Sequence, residues 1–246
     1  LFDPARNPWN PDHVTAGSSS GSGAAVAAGL CMGSLGSDTG GAIRGPAAMC
    51  GLVGLKPTYG RVSRYGVIPL SWSFDTVGPI VRTVGDAALF LKVISGYDPL
   101  DPATFDARLS VALRGSLRGL KVGVPRNYFF DFIHPAAEAL YRKAVDTLAS
   151  SGVAIREVTV PQELEHIHAC YEAISRPEAA CYFEQEVKTR LSDFGDDVRL
   201  GLLQGMALSA VDYLRAQRMR RLIQQKMRSV FQDIDLMVTP SLPAAA

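Results

Sequence analysis

No stretch of this 246-residue sequence reaches the roughly 18 consecutive apolar residues that a membrane-spanning helix needs. The opening LFDPARNPWN lacks the basic-then-apolar pattern of a secretory leader. An excess of one charge is missing too. Lys and Arg total 25 against 24 Asp and Glu, a net charge of +1, which gives no general pull toward nucleic acid or anionic lipid. Cysteine is scarce: Cys31, Cys50, Cys170 and Cys181 lie in apolar or helical contexts without C-x-x-C spacing. That excludes a disulfide framework and a zinc cluster, and predicts buried free thiols in a reducing, cytoplasmic setting. Phosphate loops are lacking as well, since neither G-x-x-x-x-G-K-[ST] nor a G-x-G-x-x-G after a strand occurs. No internal repeat is found.

What is there is an ordinary globular composition, 47% hydrophobic and 20% charged. Residues 1–100 are rich in Gly, Ser and Ala. They predict a small-residue helix over Ser22–Met32, short buried strands at Gly51–Leu55 and Gly78–Arg82, and a helix over Thr83–Ser95 capped by Thr83. Pro99–Gly119 reads as a surface connection. Beyond it the elements lengthen: strand LKVGVP, an amphipathic helix Pro135–Ser150, and strand VAIREVTV. A helix over about Gln162–Glu186, kinked or broken near Pro177, comes next. A long helix over about Ser209–Phe231 and a buried strand IDLMVTP close the chain. Strands alternating with helices predict an α/β fold.

Two polar tracts carry the chemistry. AGSSSGSG (16–23) is too short for a typical linker and runs straight into a helix. Gly17–Gly21 formally matches the nucleophile elbow G-x-S-x-G, with Ser19 as nucleophile and His134, His166 or His168 as partner. The elbow needs a buried strand before it, and NPWNPDHVTA offers two prolines instead. The second tract, SDTGGAIR (37–44), is a Gly-Gly turn flanked by Asp38 and Arg44, with an alanine at its apex.

Taken together, AGSSSGS and SDTGGAIRGP resemble the amidase signature family, whose pattern runs G-G-S-S-G-G-S, a small-residue helix, then G-[ST]-D-x-G-G-S-I-R-x-P. CGLVGLKPTYGRVSRYGVIPLSWSFDTVGP and the closing DLMVTPSLP are similar to it as well. The match is dense over Asn7–Asp98 and looser after it. The resemblance implies an α/β/α fold with a large mixed sheet covered by helices on both faces. It also implies a Ser–cis-Ser–Lys triad that cleaves an amide through an acyl-serine. Matched residue by residue, Ser18 falls on the bridging serine, joined to Gly17 by a cis peptide, with Ser19 in support. The nucleophile position, 24 residues on, is Ala42. Thr39, Gly40, Gly41 and Ala42 match the oxyanion-hole turn, and Asp38 and Arg44 the residues that pin it. Ala16 and Ser20 depart from family glycines, and both are small.

Ala42 reads as an engineered serine replacement in an otherwise intact site, or as the mark of a natural binding protein that keeps the fold. Lys56, in GLKPTYGR, falls on a structural turn of the family, so the catalytic lysine is expected upstream of Leu1. With no initial Met and an end at SLPAAA, 1–246 is expected to be an internal segment of one amidase-signature domain. The implied partners are a small-molecule amide and a second copy in a homodimer, with no cofactor and no metal. RNA enters only if the chain is the glutamyl-tRNA amidotransferase A subunit, which shares the signature. His166, His168 and Cys170 predict a helix surface rather than a metal site, because i and i+2 point to different faces. The arginines of 215–228 predict a solvated face. Trp72, Phe74 and Met206 are candidates for lining an acyl pocket, or for plain core packing.

Overall fold

The structure, a computed structural model, describes residues 3–106 and 115–246. The first half contains β1 (Arg6–Asn7), β2 (Asn10–Val14), α1 (Ser20–Ala27), β3 (Gly33–Asp38), α2 (Arg44–Met49), β4 (Val53–Gly54), β5 (Thr76–Val81) and α3 (Val84–Ile94). The second contains β6 (Lys121–Pro125), α4 (Pro135–Ser150), β7 (Ala154–Val158), α5 (Ile167–Tyr182), α6 (Glu184–Thr189), α7 (Asp196–Ala207), α8 (Ala210–Val230) and β8 (Leu236–Met237). This is an α/β protein, with hydrogen-bonded groups ordered β1-β2, β3-β5-β4 and β7-β6-β8. Two compact units share the chain: the described residues up to 106 with Ser175–Ala207, and 115–174 with Leu208–Ala245.

In the first unit β5 is the central strand, and TVGPIV is buried at every position. That is why it reads as a continuous apolar run instead of an alternation. β3 pairs with it antiparallel over six residues, from Gly33↔Val81 to Asp38↔Thr76, and β4 covers its other edge. Ile43, Ala47 and Ile80 form the buried cluster beneath, with Leu52 against it. Small residues set the spacing of the layers. A Cβ on Gly33 would stand 2.6 Å from the Phe90 ring, and one on Gly23 of α1 3.1 Å from Pro46 of α2. α3 begins as expected: the Thr83 hydroxyl accepts from the Asp86 N–H at 3.1 Å.

The second unit is built on the parallel trio, with β6 between β7 and β8. α4 spans Pro135–Ser150 as the pattern predicts and buries Tyr141, whose hydroxyl donates to Val238 O at 2.9 Å. α8 runs between Ser209 and Phe231, again as predicted, with the Ser209 side chain accepting from Asp212 N. Its Lys226 pairs with Glu163.

Several expectations are corrected. The small-residue helix ends at Ala27, because Gly29 turns left-handed at φ 74°. The Gly51–Leu55 strand shrinks to Val53–Gly54. α5 is continuous through Pro177, and the break falls at Phe183, before α6. IDLMVTP contributes only Leu236–Met237, with Leu236 exposed. β3 and α7 were not expected at all. The thiols are free, but Cys181 is exposed instead of buried. Of the Pro99–Gly119 connection, 107–114 lie outside the described residues.

Candidate active site

β3 ends at Asp38, and the chain then turns sharply into α2 at Arg44. The turn between them is tied together by the Asp38 carboxylate, which is completely buried. Its Oδ1 accepts from Gly41 N at 2.8 Å and an Arg44 guanidinium nitrogen at 2.9 Å. Its Oδ2 accepts from Arg44 Nε at 2.9 Å, Ile43 N at 3.2 Å and Arg44 N at 3.4 Å. A two-pronged guanidinium–carboxylate pair fixes direction as well as distance. Gly41 sits at φ +126°, backbone that a side chain disfavours.

Burial by itself pushes the Asp38 carboxyl up. The Arg44 hydrogen bonds and charge, with the Ile43 and Gly41 N–H groups, outweigh it and hold the group below its ordinary value of 3.8. A lowered folded pKa contributes stability that is complete above the ordinary value and is lost as pH falls through the lower one. Urea midpoints measured from pH 7 down past pH 3.8 should therefore fall less steeply for Asp38→Asn than for the parent. Equal slopes for both would show that Asp38 does not contribute to acid sensitivity.

The serine tract meets this turn directly. Ser19 N donates to Ala42 O at 3.3 Å, and Ser19 Oγ to Ser37 O at 3.4 Å. Gly36 must lack a side chain there, since a Cβ would stand 2.7 Å from Ser19 Oγ. Ser19 is thus a brace between the two tracts. The strand before it, β2, is exposed throughout, so the buried strand of a nucleophile elbow is absent there. The Gly17–Ser18 peptide is cis, as the resemblance implies, and Ser18 is exposed. Ser20 Oγ closes the loop onto Ala16 O at 2.8 Å.

Ala16 itself adopts φ 55°, a left-handed conformation in a non-glycine residue. That conformation costs an alanine about 1–2 kcal/mol, which accounts for the glycine of the family pattern. Ala16→Gly should raise the free energy of unfolding, read from urea denaturation, by about 0.5–1 kcal/mol, after the greater freedom of glycine in the unfolded chain is subtracted. A lower midpoint would mean that the methyl packs better than its backbone costs.

Of the four N–H groups expected to converge, that of Gly41 donates to Asp38. Among the described residues no hydrogen bond engages the N–H of Thr39, Gly40 or Ala42. Ala42 is half-buried at the end of the turn and has no side-chain hydroxyl. Lys56 donates to Pro57 O at 2.9 Å; burial first, then the Arg44 charge, lowers its pKa.

Sequence reasoning missed a second carboxylate. Asp75, buried just before β5, accepts from Thr39 Oγ1 at 2.5 Å. It also lines a cavity of about 410 Å³ whose walls include Tyr65, Ile68, Trp72, Leu100 and Tyr182. Trp72 is the one of the three pocket candidates among its lining residues; Phe74 and Met206 are not. Elsewhere, His134 caps α4 by accepting from Ala136 N at 3.2 Å, and His168 is a surface residue beside Glu172. Among the described residues no group of three or more His, Cys, Asp or Glu could hold a metal ion. Nor is any helix among them long and apolar enough to cross a membrane.

The model of the Amidase family matches residues 1–246. The chain belongs to the amidase signature family. One curated relative, the A subunit of glutamyl-tRNA(Gln) amidotransferase from Roseiflexus sp. strain RS-1, is 41% identical over 271 aligned positions, covering 100% of this chain and 55% of its own length. Among solved structures, its counterpart from Thermotoga maritima is 35% identical at a TM-score of 0.85, covering 100% of this chain and 54% of its own. A chain of a vestigial protein complex tied to the origins of an s-triazine catabolic enzyme is 37% identical at a TM-score of 0.91, covering 100% and 53%. The chain thus spans about half the length of the amidase relatives it matches.

Proposed function

We propose that the protein carries an amidase site that binds a small-molecule amide at the Asp38-pinned turn. With Ala42 where the family has its attacking serine, the amide is held and not cleaved. The observation that carries this reading is the contrast at the turn: its clamp is complete, and its apex residue offers no nucleophile.

With a hydroxyl at position 42 the chemistry is hydrolysis of a carbon–nitrogen bond through an acyl-serine. The hydroxyl oxygen attacks the amide carbonyl while its proton passes to Ser18, and a Ser18 proton passes to a lysine upstream of Leu1. A hydroxyl is a weak nucleophile until such an oriented base is in contact. The carbonyl electrons move onto oxygen, and the Thr39, Gly40 and Ala42 N–H groups are the donors free to meet that charge. When the electrons return, the C–N bond breaks and the amine leaves with the relayed proton. Water then repeats the attack, and the acid departs. No metal or cofactor takes part in this scheme. In this reading residues 1–246 belong to one amidase-signature domain of a cytoplasmic homodimer.

The test is Ala42→Ser in the complete protein, assayed with the parent on a panel of amides, hydrazides and ureides. Hydrolysis by the variant alone is the expected result.

A second reading is favoured by the name of the curated relative: the chain is the corresponding component of an amidotransferase and assembles with partner chains. Affinity capture of the complete protein from its own cells separates the two. Stoichiometric partner chains support the second reading, and a homodimer alone supports the first.

A further inference from the structure

The Thr39–Ala42 turn contains two adjacent glycines, so its own backbone does little to fix where its N–H groups point. Side chains must do so. Asp38 holds the later limb, at Gly41, Ile43 and Arg44. Nothing in that clamp reaches Thr39, the residue from which the N–H donors begin.

Asp75 supplies the other clamp. Asp38 and Thr76 are paired at the end of the β3–β5 ladder, so Asp75 stands one residue beyond it, opposite the turn. Its Oδ1 accepts from Thr39 Oγ1 at 2.5 Å, and its Oδ2 from Leu70 N at 2.9 Å and Ser71 N at 3.0 Å. The loop it grips is anchored in turn. Asp75 N and Phe74 N both donate to Ser71 O, at 2.8 and 3.0 Å. The Ser71 hydroxyl donates to Glu178 Oε2 at 2.5 Å, and Ser73 N to the same oxygen at 3.2 Å. Ser71, Asp75 and Glu178 are 0%, 5% and 1% exposed, so water does not compete for these bonds. A charge-assisted bond in such surroundings is among the stronger local restraints a protein can apply.

We propose that Asp75 is a positioning residue of the site. Through the Thr39 hydroxyl it fixes the first limb of the turn, and the Ser71–Glu178 contact fixes Asp75. The role rests on the reading above, in which this turn meets the developing oxyanion. A displacement of about 1 Å in such donors can cost on the order of 100-fold in rate.

Two measurements test it. The first needs no catalysis: hydrogen–deuterium exchange on the complete parent protein, Ala42 retained, with and without Thr39→Val. This substitution removes the hydroxyl and leaves the bonds from Leu70 and Ser71 in place. Exchange of the Gly41 N–H, the one amide of the turn held by a hydrogen bond, should rise about tenfold or more, with β5 and α3 unchanged; unchanged exchange at Gly41, or a rise everywhere, would overturn the proposal. The second measurement uses Ala42→Ser. Adding Thr39→Val should lower kcat by about 10- to 100-fold with KM within about threefold, and Thr39→Ser should recover most of the loss. Thr39→Val added to Asp75→Ala should cost nothing further, because the pair acts as one unit. Additive losses, or a loss in KM alone, would count against Asp75. If Ala42→Ser shows no hydrolysis, the functional reading fails by itself, and the exchange measurement still decides whether Asp75 holds the turn.

Discussion

Amide hydrolysis should rise by about a millionfold when Ala42→Ser is introduced into the complete protein. That is the scale on which removing a serine nucleophile lowers turnover, the residual rate coming from binding and oxyanion stabilisation. The parent already has the rest of the turn: Asp38 grips Gly41, Ile43 and Arg44, and Ser19 joins the serine tract to Ala42 O. The substitution adds one oxygen at a half-buried position, so urea midpoints of the two forms should agree closely. Mass spectrometry gives a second readout. The parent should hold an intact amide in a noncovalent complex, and the variant should pass through a covalent adduct of the acyl group. If the variant binds an amide yet cleaves none on the panel, a natural binding protein becomes the better reading.

A second large effect is expected at Gly78, in the middle of the buried strand β5. A Cβ there would stand 2.2 Å from Leu55 O, 2.8 Å from Pro57 Cδ and 3.2 Å from Ile43 Cδ1. The closest of these is backbone oxygen, which cannot rotate away. Leu55 N also donates to Pro79 O at 3.0 Å, so the segment is tied to the strand it would have to leave. Overpacking of this kind costs about 3 kcal/mol or more when backbone must shift. Gly78→Ala should therefore lower the urea midpoint sharply, and Ile43 should carry part of the disturbance into the turn. Gly21 is the control. A Cβ at that exposed helical position meets no heavy atom within 4 Å, so Gly21→Ala should be neutral or slightly stabilising. Equal losses at both sites would refute the steric account.

The extent to which the sequence predicted this structure follows its chemistry. α4 and α8 were legible because an apolar stripe and a capping residue coincide at each. β3 was not, since GSLGSD holds one large apolar residue; its small residues answer to Phe90 and Ser19, which lie far away in the chain. α7 hid for a similar reason. Gly205 lowers its helical character, yet a Cβ there would stand 2.1 Å from Arg176 O. At the site, SDTGGAIR advertised itself through local spacing, and Asp38 is part of it. Asp75 and Glu178 act across 36 and 107 residues of chain. Asp75 lies in SWSFDTVGP, a stretch that shares the family resemblance, but nothing in its local spacing shows that the sheet brings it to Thr39.

Ala42 ends a turn whose shape is dictated by neighbouring carboxylates, and its own side chain takes no part in that scaffolding. In the reading proposed above, reactivity and architecture are therefore separable at this position. Serine and alanine codons can differ by a single base, so a lineage could lose the reaction, keep the receptor, and later regain the reaction without passing through an unfolded intermediate. Comparison of backbones would register none of these transitions.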